Sequence, residues 1–332
     1  MPPSALRFVE EDEPGITRKP ARQRAGKVQW AYFGPDGRRI TDRAEIDRLN
    51  AVALPPAYRD CWYACDPDSH LLATGIDARG RKQYRYHPEW REAREAMKFD
   101  RCAAFGALLP HLREQVRKDL GRRSLTRERA IASVITLLDQ GAIRVGNECY
   151  ARENRSFGAT TLRRRHAMLA SGRLRLRFIG KGGKKHEIDC EDRRLATCVR
   201  RMQDLPGQHL FQYLDAEGLA RPVHSQDVNA YIADVLGEGF SAKHFRTWAA
   251  STIAFAHLHA HPGASLKAML GDVCDRLGNT PAIARKSYVH PKVLAAASGA
   301  TDDRAALPKT LPRKTRWLSR EERGLLAFLA EG

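Results

Sequence analysis

The larger, C-terminal part of the chain has apolar residues at helical spacing. Ile131, Val134, Ile135 and Leu138 follow the i, i+3, i+4, i+7 rule, and Gly141 is a natural stop. Two later segments repeat this spacing behind the candidate N-caps Ser225 and Ser241: Val228, Tyr231, Ile232 and Val235, then Phe245, Trp248, Ala249 and Thr252. A capping box from Ser319 to Glu322 opens a last amphipathic helix. The pattern predicts a mostly helical region from about residue 90 onward.

Shorter, alternating runs mark two segments that favour strands. Between Val28 and His87, the runs VQWAYF, LLATGID and KQYRYH are separated by the turn sequences GPDG and ARG, with one helix near DRAEIDRLN. Inside the helical part, RLRLRFIG places three arginines on one face of a strand and Leu174, Leu176 and Phe178 on the other. The sequence KGGK then turns the chain back into KHEIDC. A small β-rich domain and a separate β-hairpin are therefore predicted.

These elements predict an α+β fold. A small β-rich N-terminal domain is expected at residues 26–90, followed at 91–300 by a larger, mostly α-helical domain with a small β-hairpin sheet. Residues 301–332 are expected to form a linker and the C-terminal helix. The first 25 residues run into the basic stretch TRKPARQRAGK, whose composition cannot build a core, so a flexible arm is predicted at 1–25.

The charge balance points to an anionic partner. The 332 residues include 57 Lys and Arg against 39 Asp and Glu, a net charge of +18. Nucleic acid is the commonest partner of such a field, and an anionic membrane is the alternative. No apolar run is long enough to span a membrane, and the seven scattered cysteines indicate reduced thiols, so a cytoplasmic protein is expected. Cys61 and Cys65 lack a second ligand pair, and no metal site is predicted.

Four residues could carry chemistry, although the usual hydrolytic signatures are missing. The turn GKGGKK lacks the phosphate-loop pattern, so ATP binding is not expected. Arg144 follows a helix stop, Lys181 lies at a hairpin tip and Arg246 lies on an amphipathic helix. Each alone is more simply a solvated charge, and Tyr288 alone is more simply a surface tyrosine. Their joint order, Arg, Lys, Arg, Tyr, is what favours a catalytic role over four unrelated surface residues.

That order fits the breaking of a phosphodiester by a phenol. Attack by the Tyr288 oxygen on phosphorus places negative charge on the nonbridging oxygens, which fixed guanidinium groups neutralise. Lys181 can protonate the leaving 5′ oxygen as a general acid. The phosphotyrosine ester retains the energy of the broken bond, so neither ATP nor a metal is required by this scheme. No cofactor is predicted.

Five segments, in order, resemble the type IB DNA topoisomerases of the small poxvirus-like bacterial group. They are GRKQYRYHP, IRVGNECYARENRSFGATTLRRRH, GKGGKKH, KHFRTW and ARKSYVHP, within about residues 25 to 295. The resemblance implies the topoisomerase IB/tyrosine recombinase type of catalytic domain. It implies Tyr288 as nucleophile, Lys181 as general acid and Arg144 and Arg246 as phosphate clamps. The family's fifth catalytic position, often histidine, falls nine residues before the tyrosine, on Asn279, whose amide can donate a hydrogen bond but carries no charge.

The resemblance also implies a set of DNA contacts. From the small domain they are Gln83, Tyr84 and Tyr86, whose alternative role is cross-strand packing. From the catalytic domain they are Tyr150, Lys243, Arg163 and Arg164, the last two in a basic run that could instead be a solvated face.

The implied function is relaxation of supercoiled duplex DNA through a transient 3′-phosphotyrosyl link, with strand swivelling and religation. The implied enzyme is bacterial, cytoplasmic and nucleoid-associated, and acts as a monomeric clamp without an obligatory protein partner. A tyrosine site-specific recombinase is the alternative enzyme, although such proteins usually have a helical N-terminal domain and an H-x-x-R box, whereas this chain has HFR at His244–Arg246. A non-enzymatic basic DNA-binding protein is the third possibility.

Overall fold

The structure, a computed structural model, describes residues 6–24, 27–299 and 304–330. The chain divides into two compact units, one up to residue 98 and the other from residue 99 onward. The predicted domain boundary at 90/91 therefore lies a little early, because the helix that begins at Pro88 contributes its first turns to the smaller unit. The predicted boundary at 300/301 lies outside the described residues.

The smaller unit is built on a five-stranded antiparallel sheet. Its elements are β1 (Ile16–Arg24), β2 (Lys27–Phe33), α1 (Arg43–Ala51), β3 (Arg59–Tyr63), β4 (Leu71–Ile76) and β5 (Lys82–Tyr86). The strand order is β2-β1-β3-β4-β5. Tyr32 and Tyr63 meet edge to face in its core, with ring centroids 5.6 Å apart, and Leu49 of α1 is buried with them.

The flexible arm predicted for residues 1–25 is wrong for most of its length. Residues 1–5 and 25 lie outside the described residues, but Ile16–Arg24 form β1, which pairs with both β2 and β3. Arg18 stacks on Trp30 at 4.1 Å from the ring centroid and donates to the carbonyl oxygens of Leu54 and Pro55 at 3.0 and 2.6 Å. The basic composition was misleading because cationic side chains can cover aromatic rings while their backbone joins a sheet.

The larger unit is mostly helical. Its helices are α2 (Pro88–Leu120, shared with the smaller unit), α3 (Arg127–Gly141), α4 (Glu148–Asn154), α5 (Arg193–Gln203), α6 (Ser225–Leu236), α7 (Lys243–Ala260), α8 (Leu266–Leu277), α9 (Pro281–Ser287), α10 (Pro291–Ala297) and α11 (Arg320–Ala330). Its strands are β6 (Ala167–Ala170), β7 (Arg173–Ile179), β8 (Lys185–Cys190), β9 (Gln212–Leu214) and β10 (Ala220–Pro222). They form the sheets β6-β7-β8 and β9-β10.

The predicted helices and hairpin are present, with small shifts at their ends. Strand β7 alternates as expected, with Leu174, Leu176 and Phe178 buried and the arginines between them exposed. Helix α3 ends in a left-handed C-cap at Ala142 (φ 50°), one residue after Gly141. The predicted caps Ser225 and Ser241 are also displaced, because α6 is preceded by His224 and α7 by Ala242.

The C-terminal helix α11 is part of the core of the larger unit. The capping box is confirmed: the Ser319 amide donates to Glu322 Oε2 at 2.9 Å, and the Glu322 amide donates to Ser319 Oγ at 3.2 Å. The buried Glu322 carboxylate also accepts from Arg113 Nη2 at 2.8 Å and Trp248 Nε1 at 3.0 Å. The pKa of Glu322 lies below its usual value despite burial, because these donors, Arg113 foremost, stabilise the charged form. Helix α11 is thus joined to α2 and α7 of its own chain.

Among the described residues, no helix combines the length and the apolar character needed to cross a membrane.

Candidate active site

Arg246 is the structural centre of the candidate site. It lies in the first turn of α7 and is only 3% exposed. Its Nη1 donates to the carbonyl oxygen of Ala142, at the end of α3. Its Nη2 donates to the carbonyl oxygen of Leu277, at the end of α8, and to Asn279 Oδ1, both at 3.1 Å. One guanidinium group therefore fixes the ends of two helices and orients the side chain of Asn279.

Arg144 reaches the same point from the loop after α3. Its Nη2 donates to Asn279 Oδ1 at 2.8 Å. The Arg144 carbonyl oxygen accepts from the amide of Ala159 at 2.9 Å, and a Cβ at Gly158 would lie 2.6 Å from that oxygen. The glycine at 158 therefore permits the close backbone approach that holds the loop and aims the arginine.

Asn279 receives both arginines on one oxygen. Because guanidinium groups can only donate, the amide oxygen must face them, and Nδ2 must face the other way. The residue is 8% exposed, and its Nδ2, like Nε of Arg246, is buried without a hydrogen-bond partner. A buried, unsatisfied donor is costly, so in a native protein it calls for an explanation such as a catalytic role or a bound ion. The site therefore offers unused donors to an anion.

Tyr288 lies directly beside Arg246. It is the half-buried C-cap residue of α9, and its ring centroid is 4.9 Å from Cζ of Arg246. Its carbonyl oxygen accepts from Ser251 Oγ at 3.3 Å, and Ser251 Oγ accepts from the amide of His290 at 3.0 Å. Ser251 belongs to α7, so the helix that carries Arg246 also fixes the backbone on both sides of Val289.

Lys181 lies at the exposed tip of the β7–β8 hairpin. The tip turns through Gly182 and Gly183, whose φ angles of 76° and 75° favour glycine, and the Gly180 amide donates to the Lys184 carbonyl oxygen at 2.7 Å. Among the described residues, no hydrogen bond or ion pair joins Lys181 to the two arginines or to Asn279. The structure therefore brings four of the five predicted catalytic residues together and leaves the fifth on a short solvent-exposed turn.

The electrostatics of the site favour an anion. Burial lowers the pKa of Arg246, and the positive charge of Arg144 lowers it further. Within the part of the chain that the structure describes, no carboxylate forms an ion pair with either arginine. Two guanidinium groups that share a neutral amide oxygen retain their full charge for a ligand such as a phosphate.

The predicted DNA contacts of the smaller unit lie on β5. Tyr84 and Tyr86 are 46% and 38% exposed, and their rings stack with centroids 6.0 Å apart. They therefore share one face of the strand. Gln83 donates from Nε2 to Asp77 Oδ2 at 3.1 Å, so its amide is already oriented by the β4–β5 turn.

The four predicted contacts of the larger unit differ in their surroundings. Tyr150 on α4 is 45% exposed, and Lys243 is exposed at the start of α7. Arg163 is engaged internally in an ion pair with Glu148, which would have to open for Arg163 to contact a ligand. Arg164 is half-buried, and its Nε and Nη2 have no hydrogen-bond partner.

His186 is a residue of this region to which the sequence analysis gave no role. Burial lowers its pKa, and the charges of Arg246 and Arg144 lower it further. Its ring therefore lies within the field of both arginines. The only sequence signal was its place at the end of the GKGGKKH segment.

Comparisons with known proteins identify the family. A sequence model described as the catalytic core of eukaryotic DNA topoisomerase I matches residues 87–306, and one described as the N-terminal domain of bacterial DNA topoisomerase IB matches residues 29–77. DNA topoisomerase 1B of Acanthamoeba polyphaga mimivirus is 31% identical over 72% of this chain and 72% of its own length. DNA topoisomerase 1B of vaccinia virus, strain Copenhagen, is 21% identical over 80% of this chain and 88% of its own.

Among solved structures, the site-specific recombinase XerH bound to its difH substrate is similar over 60% of this chain and 51% of its own, at 15% identity and a TM-score of 0.37. That likeness is too low to support any inference about this chain.

The two matched sequence models define a class, a topoisomerase catalytic core preceded by a bacterial N-terminal domain. The chain belongs to the type IB DNA topoisomerase family. The predicted family and the predicted α+β fold are confirmed.

Proposed function

We propose that this enzyme relaxes supercoiled duplex DNA by cutting one strand with Tyr288, letting the cut strand swivel, and resealing it. The observation that carries the proposal is the arrangement around Asn279: two guanidinium groups on its oxygen, an unpartnered Nδ2, and the Tyr288 ring 4.9 Å from Arg246. A phosphodiester placed there would receive donors from three side chains beside a candidate nucleophile.

Each catalytic residue has a distinct proposed role. The Tyr288 phenol gives up its proton to solvent and its oxygen attacks phosphorus, the bond to the 5′ oxygen breaks, and a 3′-phosphotyrosyl ester forms. Arg144, Arg246 and Asn279 stabilise the charge that develops on the nonbridging oxygens. Lys181 gives a proton to the leaving 5′ oxygen, and religation reverses the same steps. The ester conserves the bond energy, so the proposed scheme has no ATP-dependent step.

DNA binding is proposed to involve both units. Gln83, Tyr84 and Tyr86 would contact the duplex from β5, where the two exposed tyrosines support this role. Tyr150, Lys243, Arg163 and Arg164 would contact the backbone from the larger unit. The net charge of +18 supports a protein that captures a polyanion. We propose a cytoplasmic, nucleoid-associated location.

We propose that the enzyme acts as a monomer. The recombinase alternative would require the C-terminal helix to dock on a neighbouring subunit, whereas α11 is joined to its own α2 and α7 through Glu322. Lys292, four residues after Tyr288, also donates to the Phe328 carbonyl oxygen at 2.7 Å. These contacts support the packing of α11 against its own catalytic unit rather than against a neighbouring subunit.

The test is relaxation of plasmid DNA by purified protein in EDTA. We expect both positively and negatively supercoiled plasmids to relax at protein-to-plasmid ratios below one, without a dedicated site. Tyr288→Phe is the matched inactive control. Relaxation only on plasmids with paired sites, or only with stoichiometric protein, would support a recombinase instead.

A further inference from the structure

His186 fills a narrow slot beside the candidate site. It lies in β8 opposite Phe178 of β7, and the two rings stack with centroids 5.0 Å apart. A Cβ at Gly180 would lie 2.6 Å from Cδ2 and Nε2 of His186, and a Cβ at Gly278 would lie 2.8 Å from its Cε1. Gly180 precedes Lys181, and Gly278 precedes Asn279. The imidazole therefore separates the backbones that carry these two predicted catalytic residues.

Glycine is favoured at positions 278 and 180 for different reasons. Gly278 has φ +66° as the left-handed C-cap of α8, so glycine is favoured there for its backbone alone. Gly180 has φ −95°, which any residue can adopt. Its lack of a side chain is therefore explained by the approach of the His186 ring. The backbone at the root of the Lys181 turn therefore approaches the imidazole too closely for a side chain at position 180.

We propose that His186 is a positioning residue that holds the Lys181 turn at a fixed distance from Asn279. The inference rests on the proposed role of Lys181 as general acid. A neutral ring suits this position, because a third cation beside Arg144 and Arg246 would repel both. Phe178 fixes the plane of the ring from one side, and the two glycine backbones limit its movement in the slot.

The test compares two cleavage substrates in single-turnover experiments. One has an ordinary 5′ oxygen leaving group, which needs a proton, and the other has a 5′ sulfur, which does not. We expect His186→Ala to slow cleavage of the oxygen substrate at least about 10-fold, because a displaced acid loses efficiency, and to leave the sulfur substrate within about 2-fold. The double variant with Lys181→Ala should be no slower than Lys181→Ala alone.

Controls separate positioning from general stability. His257→Ala removes a similar side chain from α7, where it contacts Asp272 at 2.6 Å, and should affect the two substrates equally. Gly180→Ala disturbs the same contact from the other side. If His186→Ala does not fold, Gly180→Ala takes its place, and it should likewise slow the oxygen substrate and spare the sulfur substrate. Equal effects of His186→Ala on both substrates, or no effect, would overturn this inference. Equal effects of Lys181→Ala would overturn the proposed general acid as well.

Discussion

Asn279→Asp should stabilise the protein while it disables the site. The variant places a carboxylate where Arg144 Nη2 and Arg246 Nη2 now donate to the amide oxygen at 2.8 and 3.1 Å. Both existing bonds already have a charged donor, so what the variant adds is the attraction of one carboxylate to two guanidinium groups, about 4 kcal/mol per pair at about 4 Å in an effective dielectric of about 20. Against a cost of several kcal/mol for burying the carboxylate, we expect a net gain of about 2 kcal/mol in the free energy of unfolding. The new charge also offsets the repulsion by which Arg144 lowers the pKa of the buried Arg246.

Catalysis should change in the opposite direction. The variant loses the Nδ2 donor, and loss of one such donor to a developing oxyanion costs about 10²–10³-fold in rate. The carboxylate also repels the phosphate, so we expect cleavage to be slowed at least about 10³-fold. Asn279→Ala is the matched control: it loses the donor without adding charge, and it leaves both arginines without their shared acceptor, so it should be slower by about 10²-fold and less stable.

Both quantities are directly measurable. Single-turnover formation of the covalent complex on a nicked substrate, quenched with denaturant and resolved on a gel, gives the cleavage rate. Thermal unfolding gives the stability, and about 2 kcal/mol corresponds to a rise in Tm of roughly 4–8 °C. Cleavage by Asn279→Asp within about 3-fold of the wild-type rate would show that Nδ2 does not face the phosphate.

Four further outcomes are expected. Tyr288→Phe should abolish the covalent complex and leave DNA affinity within about 2-fold, and normal complex formation would identify another nucleophile. DNA affinity should fall linearly in log salt with a slope of about −0.9 per phosphate contacted, and a flat profile would contradict a clamp. Gly106→Ala should destabilise the fold by about 2 kcal/mol, because its Cβ would lie 2.2 Å from the buried Trp248. Gly271→Ala, with open space around its Cβ, should stabilise the fold slightly. Equal melting temperatures of the two variants would refute the packing argument. Burial and nearby arginines lower the pKa of His166 to about 4, so the unfolded chain binds this proton at a higher pH than the folded protein does. The free energy of unfolding should therefore decline as pH falls from about 6.5 towards 4. Chemical denaturation of His166→Gln should show a shallower decline.

The sequence predicted the elements that carry the site better than it predicted their contacts. The hairpin that presents Lys181 is evident because side chains alternate along β7. The short helix before Tyr288 begins with Thr280 as its N-cap and Pro281 as its first residue, both of which are favoured at a helix start. Strand β1 was missed because its cationic residues and Pro20 interrupt any apolar alternation, and only pairing with two neighbouring strands reveals it.

The contacts within the site join residues that are far apart in the sequence. Arg144 and Asn279 are separated by 135 positions, and no local pattern indicates that they share a hydrogen bond. The same limit applies to His186, whose role depends on the closeness of two glycines rather than on its own neighbours in the sequence. Periodicity specifies faces of elements, whereas the meeting of three loops depends on the complete packed core.

The bonds that Arg246 makes to the ends of α3 and α8 have a consequence for the synthesis of the enzyme. Arg144 and Arg246 leave the ribosome before Asn279 and Tyr288, and Glu322, which anchors α11 to Arg113 and Trp248, is made after all of them. No early stretch of the nascent chain holds a complete cleavage site, and the carbonyl groups that orient Arg246 are in place only once distant helices have packed. The ability to break DNA therefore appears late, together with the folded structure that can reseal it.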